Sequence, residues 1–145
     1  MDRIPTKVAL TKRNIFTEDI RCVLCEEGEE TVDHVFSGCG ISTGVWDIVS
    51  KWCGISNYFT FSLKDVMELH NVQGMSTTHK EIVRGVIIAS CWRLWKARNE
   101  LIFENKVVKV VEIVADIKAL TYLWYSNSNN SKGLDRENWC KLYLM

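Results

Sequence analysis

Four residues constrain this chain more than any others. Cys22, Cys25, His34 and Cys39 follow one another at the spacing C-x2-C-x8-H-x4-C. Three sulfur donors and one imidazole suit Zn2+, which favours four ligands at tetrahedral corners. Two cysteines separated by two residues can aim two thiolates at one ion. His34 and Cys39 can do the same from one helical turn and its end. The residues between the pairs, Glu26 to Asp33, place Gly28 where a turn is needed. Thr31 stands where it would cap a short helix carrying Val32, Val35 and Phe36. With four protein ligands no position stays open for water, so the expected cofactor is one structural zinc rather than a catalytic one.

Three other readings of these cysteines compete with zinc. A Cys22/Cys25 redox pair would call for a strand-rich, thioredoxin-like surrounding pattern, and none is present. A disulfide framework belongs to an oxidising compartment, and the sequence shows no secretory signal pattern. Unliganded buried thiols at this spacing by coincidence are the third. Cys53, Cys91 and Cys140 read as small buried apolar residues, with Cys53 close enough to stand in as a ligand.

The balance of charge narrows the function classes. The 145 residues carry 18 basic and 18 acidic side chains. A dedicated nucleic-acid binder is usually clearly basic, so any such binding is expected to be weak. Six cysteines without a secretory signal pattern lead to the expectation of a reducing, intracellular setting, nucleus or cytoplasm. No apolar run reaches the ~18 residues of a membrane span. Basic residues do gather locally: Arg3, Lys7, Lys12, Arg13 and Arg21 stand against Glu18 and Asp19. They read as a solvated helix face or, more sharply, as a weak phosphate-facing patch. The metal loop is acidic, with Glu26, Glu27, Glu29, Glu30 and Asp33 and no cation among them. Its tip should repel phosphates.

The expected fold is mostly α: a small zinc-stapled helical module, then a long helix packed antiparallel on a second. Residues 1–70 form the zinc-binding module, with ligands in 22–39 and a helix over 41–53 that Gly54 ends. In that helix Trp46 and Trp52 are expected in the core. Tyr58, Phe59 and Phe61 are read as a loop over the core, and Ser62 as the cap of a short helix through Val66, Met67 and Leu69. Residues 71–78 are a linker, 79–126 a helical hairpin and 127–145 a flexible tail. Thr78, with Glu81 three positions on, predicts the start of the long helix. On that helix Ile88, Trp92, Trp95, Asn99 and Ile102 share one stripe, and Val83, Ile87, Leu94 and Leu101 another. Arg93, Lys96 and Glu100 are expected on the exposed strip. Arg98 falls among apolar residues and should need a carboxylate partner. After it, β-branched Val107 to Val114 leans locally to strand. The spacing of Val110, Ile113, Val114, Ile117, Leu120, Thr121 and Trp124 predicts a helix face instead. His70 and His79 are read as surface residues.

Two blocks together carry a resemblance. Ile4-Pro5-Thr6, Leu10, Arg13, Cys22-x2-Cys25, Glu30-Thr31, Asp33-His34-Val35-Phe36, Cys39 and Val45-Trp46 form the first. Trp92-x2-Trp95-Lys96-Ala97-Arg98-Asn99-Glu100-Leu101-Ile102-Phe103 forms the second. Over about residues 3–125 the chain resembles the reverse transcriptase zinc-binding domain at the C-terminal end of plant LINE-type (non-LTR) retrotransposon polyproteins. The resemblance implies a fragment without the polymerase domain, since no two aspartates are adjacent to hold catalytic metals. It implies an accessory zinc domain that helps a reverse transcriptase engage an RNA or DNA template. The candidate contacts are Lys7, Lys12, Arg13, Arg93 and Lys96, and another retroelement protein is a candidate partner. No catalysis of its own, membrane or small-molecule substrate is expected. A protein–protein interaction module and a retroelement relic without function are the alternatives.

Overall fold

The computed structural model describes residues 4–15, 17–55, 64, 67–68 and 76–127. The expected loop at Tyr58, Phe59 and Phe61, the Ser62 cap, His70, most of the 71–78 linker and residues 128–145 of the tail lie outside them. Four α-helices order the described chain: α1 (Lys7–Lys12), α2 (Gly40–Trp52), α3 (Thr77–Glu104) and α4 (Val110–Ser126), with a single π-helical turn over His34–Gly38. The fold is mostly α, and among the described residues extended pairing is confined to one antiparallel bridge between Arg21 and Glu29.

Local chemistry sets the helix ends. Thr6 accepts the Ala9 N–H and starts α1. Asn14, at φ +60°, closes it, as Ile15 N–H reaches Leu10 O. Gly54 ends α2 in the expected way: it sits at φ +71°, its N–H donates to Lys51 O, and Ile55 N–H donates to Ser50 O. The start of α3 differs from expectation. Ser76, not Thr78, is the cap and accepts the His79 N–H at 3.1 Å, so the helix begins two residues early. Serine is the better N-cap of the two. At α4 the Glu112 carboxylate accepts the Lys109 N–H at 3.3 Å, and the β-branched run becomes helix only from Val110.

The helices α2, α3 and α4 form a bundle. A Cβ on Gly44 would meet Val110 at 3.4 Å, and Lys118 lies 5.5 Å over the Trp52 ring, so α2 and α4 run parallel. The other pairing is antiparallel: Gly85 near the start of α3 faces Trp124 near the end of α4, and Arg93 Nε donates to Asp116 at 2.8 Å. One core runs through all of it. Val35, Phe36, Val45, Trp46, Val49 and Trp52 from the front of the chain join Val83, Val86, Leu94, Ile113 and Ile117 from the back. His79, read as a surface residue, is half-buried, and its Nε2 lies 2.9 Å from Cys53 O.

The polar pattern of α3 departs from expectation. Arg93 and Glu100 are buried, not exposed, while Ile88 and Trp92 stand about half exposed. Arg93 pairs with both Asp116 and Glu100; Lys96 and Lys106 flank Glu100 from the surface. On α4 the face narrows to Ile113, Val114, Ile117 and Thr121, leaving Leu120 and Trp124 outside. Arg98 has its carboxylate. Its Nη2 and Nε donate to Glu30 Oε1 and Oε2 at 2.7 and 3.2 Å. Both side chains are buried, so removing one strands the other. Arg98→Met should cost about 3–5 kcal/mol in urea unfolding. Adding Glu30→Gln should recover part of that loss rather than add to it.

Candidate metal centre

The ligands come from three local devices. First, residues 21–29 form a tight knuckle. Glu26 N–H returns to Cys22 O at 2.8 Å and Cys22 N–H donates to Gly28 O at 3.0 Å. Glu26 and Gly28 take φ of +60° and +57° to make the turn. Second, Thr31 caps the next turn, its Oγ1 accepting the His34 N–H at 3.0 Å. Third, that turn is π-helical, closed by Cys39 N–H on His34 O. In an α-helix, residues five apart point about 140° from each other. An i→i+5 turn brings them round to one side, which is the physical sense of the x4 spacing.

The four donor atoms converge. All lie within 4.8 Å of one another. Cys22 Sγ and Cys39 Sγ are 3.8 Å apart, and Cys25 Sγ is 3.2 Å from His34 Nε2. Two sulfurs bound at ~2.3 Å to one tetrahedral ion would be ~3.8 Å apart, so the first distance is a tetrahedral edge. Cys22 and Cys39 are buried, Cys25 and His34 half-buried. Cys22, Cys25, His34 and Cys39 form a zinc-binding site.

The electrostatics fit a cation. The hydrogen bond between the Cys22 and Cys39 sulfurs draws the Cys22 thiol down to about 5, and the N–H groups of Cys25 and Leu24 add to this. The same contact, with burial, drives Cys39 far up. Two thiols this close resist sharing a second negative charge. A divalent ion between them lifts that limit and holds both as thiolates. Cys39 also stands at the N-terminus of α2, where the Ile41 N–H faces its sulfur. Cys53 stands apart in the core, its thiol pushed up to about 12 by burial, and it joins no ligand cluster among the described residues.

Around this site the acidic tip is smaller than the sequence suggests. Glu26, Glu27, Glu29 and Asp33 are exposed, but Glu30 turns inward. Besides Arg98 it accepts the Lys7 N–H at 2.8 Å, at the first turn of α1. The need of Arg98 for a carboxylate was the available signal; nothing in the local run of glutamates singled out Glu30. Of the candidate cations, Lys12, Arg13 and Lys96 are exposed. Lys7 directs its amine to Arg21 O, Arg21 is paired with Asp19, and Arg93 is withdrawn into the bundle.

Residues 1–46 match the sequence family described as zinc-binding in reverse transcriptase. The match takes in all four ligands, Glu30 and the first half of α2, and stops before the α3–α4 hairpin. No curated protein and no solved structure shows a match to the chain.

Gly28 is tied to the site by space as well as by conformation. A Cβ there would lie 3.2 Å from His34 Cε1 at a left-handed φ. Gly28→Ala should therefore weaken zinc retention against a competing chelator by about tenfold, 1.4 kcal/mol. Stripping the metal from the unaltered chain should speed amide exchange across residues 20–39 by orders of magnitude. Val86, Leu94 and Ile113 should keep most of their protection, being held by apolar contacts. Loss of protection throughout at the same rate would mean that the ion holds the whole bundle.

Proposed function

We propose that this chain is an accessory scaffold of a LINE-type retroelement reverse transcriptase, of plant origin, that helps hold RNA or DNA template. The family match together with the four converging ligands carries the reading. All four zinc positions are filled by protein, so the ion would shape the module and leave chemistry to a polymerase elsewhere. The ion and its exposed glutamates form an acidic pole that a phosphate backbone would avoid. Contact would instead fall to Lys12 and Arg13 at the end of α1 and to Lys96 on α3, all at the surface. The exposed apolar face of α3 and α4 favours a second reading, a protein-interaction module.

Fluorescence anisotropy with a labelled single-stranded RNA tests the first reading. Three phosphate contacts predict a slope of about −2 for log K against log salt. Lys12→Glu with Arg13→Glu should weaken binding about tenfold at ~50 mM salt. Absence of binding at that salt would overturn the nucleic-acid role.

A further inference from the structure

We propose that Arg98 is a positioning residue of the metal centre: from the long helix it holds the ligand loop in place, and zinc affinity depends on it. The inference rests on the four converging ligands and not on the proposed work with template. Residues 1–46 carry every ligand, yet the loop between the ligand pairs has little of its own to hold it. From Glu26 to Asp33 only Val32 joins the apolar core. The fixed point of the loop is Glu30. Its N–H donates to Ile20 O at 2.8 Å, and its carbonyl accepts the Val8 N–H at 3.2 Å. Its carboxylate is fully buried and ends on Arg98.

That point is connected to both pairs of ligands. Upstream, Ile20 is paired with Glu30, Arg21 is bridged to Glu29, and Cys22 N–H donates to Gly28 O. Fixing Glu30 therefore fixes the approach to Cys22. Downstream, Thr31 follows at once, and its hydroxyl accepts the His34 N–H. The same turn of α3 reaches the far side of the histidine. Trp95 meets Phe36 at 6.3 Å between ring centres, and Phe36 lies between His34 and Cys39. Trp95 also carries the Arg98 guanidinium 4.6 Å over its ring. One helical turn thus steadies the loop before and after His34. A loop already in place spends less of the binding energy on its own ordering. Groups that orient metal ligands change affinity by about 10–100-fold. Charge alone predicts the opposite sign. Removing the Arg98 cation would leave Glu30 as one more negative charge near Zn2+ and tighten binding.

Competition of the full chain against a chromophoric chelator measures the zinc Kd. Arg98→Met should raise it by about tenfold or more. Arg98→Lys keeps the charge and one of the two bonds, and should raise it by only about threefold. Glu30→Gln should raise it by about tenfold. Combined with Arg98→Met it should stay within about threefold of either single variant, because both act through one contact. Ile113→Ala, in the core of α4, is the control. It destabilises the free and the loaded chain alike, so the Kd should stay within about twofold. With Co2+ in place of Zn2+, the ligand-field spectrum at saturation should be the same in Arg98→Met as in the unaltered chain, since the four ligands are untouched. An unchanged or tighter Kd in Arg98→Met overturns the proposal. So does an equal rise in Ile113→Ala, which would make Arg98 one stabilising residue among others. A changed Co2+ spectrum would mean a lost ligand and overturn it as well. If Arg98→Met does not fold, Arg98→Lys against Ile113→Ala decides in the same way.

Discussion

The buried pair of Glu30 and Arg98 joins the two ends of this structure. Glu30 lies in the loop between the two pairs of zinc ligands, and Arg98 lies 68 residues on, in the long helix. The guanidinium is held three ways: bidentate on the carboxylate, 4.6 Å over the Trp95 ring, and through Nη1 to Asn99 Oδ1. The carboxylate in turn receives the first N–H of α1. Two buried charges cost much desolvation, and only such complete pairing offsets it. The result is a junction where α1, the metal loop and α3 meet on one carboxylate.

That junction explains why the metal loop can be so polar. The segment from Glu26 to Asp33 has only Val32 to give to the core. Burial cannot fix its path. Zinc fixes its two ends and Glu30 fixes its middle. Beyond the loop, apolar packing takes over: Trp46 Nε1 donates to Phe36 O at 2.6 Å, and Phe36 lies 6.3 Å from Trp95. The zinc module thus shares its core with the helical hairpin.

What the sequence made legible was what spacing alone determines. Ligand intervals revealed the metal site, and Gly54 the end of α2. Helical periodicity revealed α3 and α4 against the strand propensity of Val107 to Val114. An arginine set among apolar residues revealed that a buried carboxylate had to exist. Less legible was anything decided by which face meets which neighbour. A helix apolar on two sides does not say which side is covered. Ile88 and Trp92 face water, while Arg93 and Glu100 face inward because Asp116 arrives on α4 to pair with the arginine. The π-helical turn was hidden too, since one residue of register between His34 and Cys39 leaves no mark on composition.

The inversion on α3 has an energetic meaning. A helix that encloses two arginines and a glutamate while exposing Ile88 and Trp92 is not arranged for the stability of a lone bundle. Buried ion pairs are often no more stabilising than apolar residues of the same size, and Ile88 and Trp92, each about half exposed, forgo roughly half of the ~1.5–3 kcal/mol that fully burying a large apolar side chain brings. Both departures fall on the same helix. The buried pairs lock the rotation of α3 about its axis, because a turn of one residue would strand Arg93 and Arg98 together. With that rotation fixed, Trp92 and Ile88 are held outward beside Trp124. The inward charges are therefore what present the outward apolar stripe, and the carboxylate that organises the metal loop shares in this through Arg98, beside Asp116 and Glu100 on Arg93.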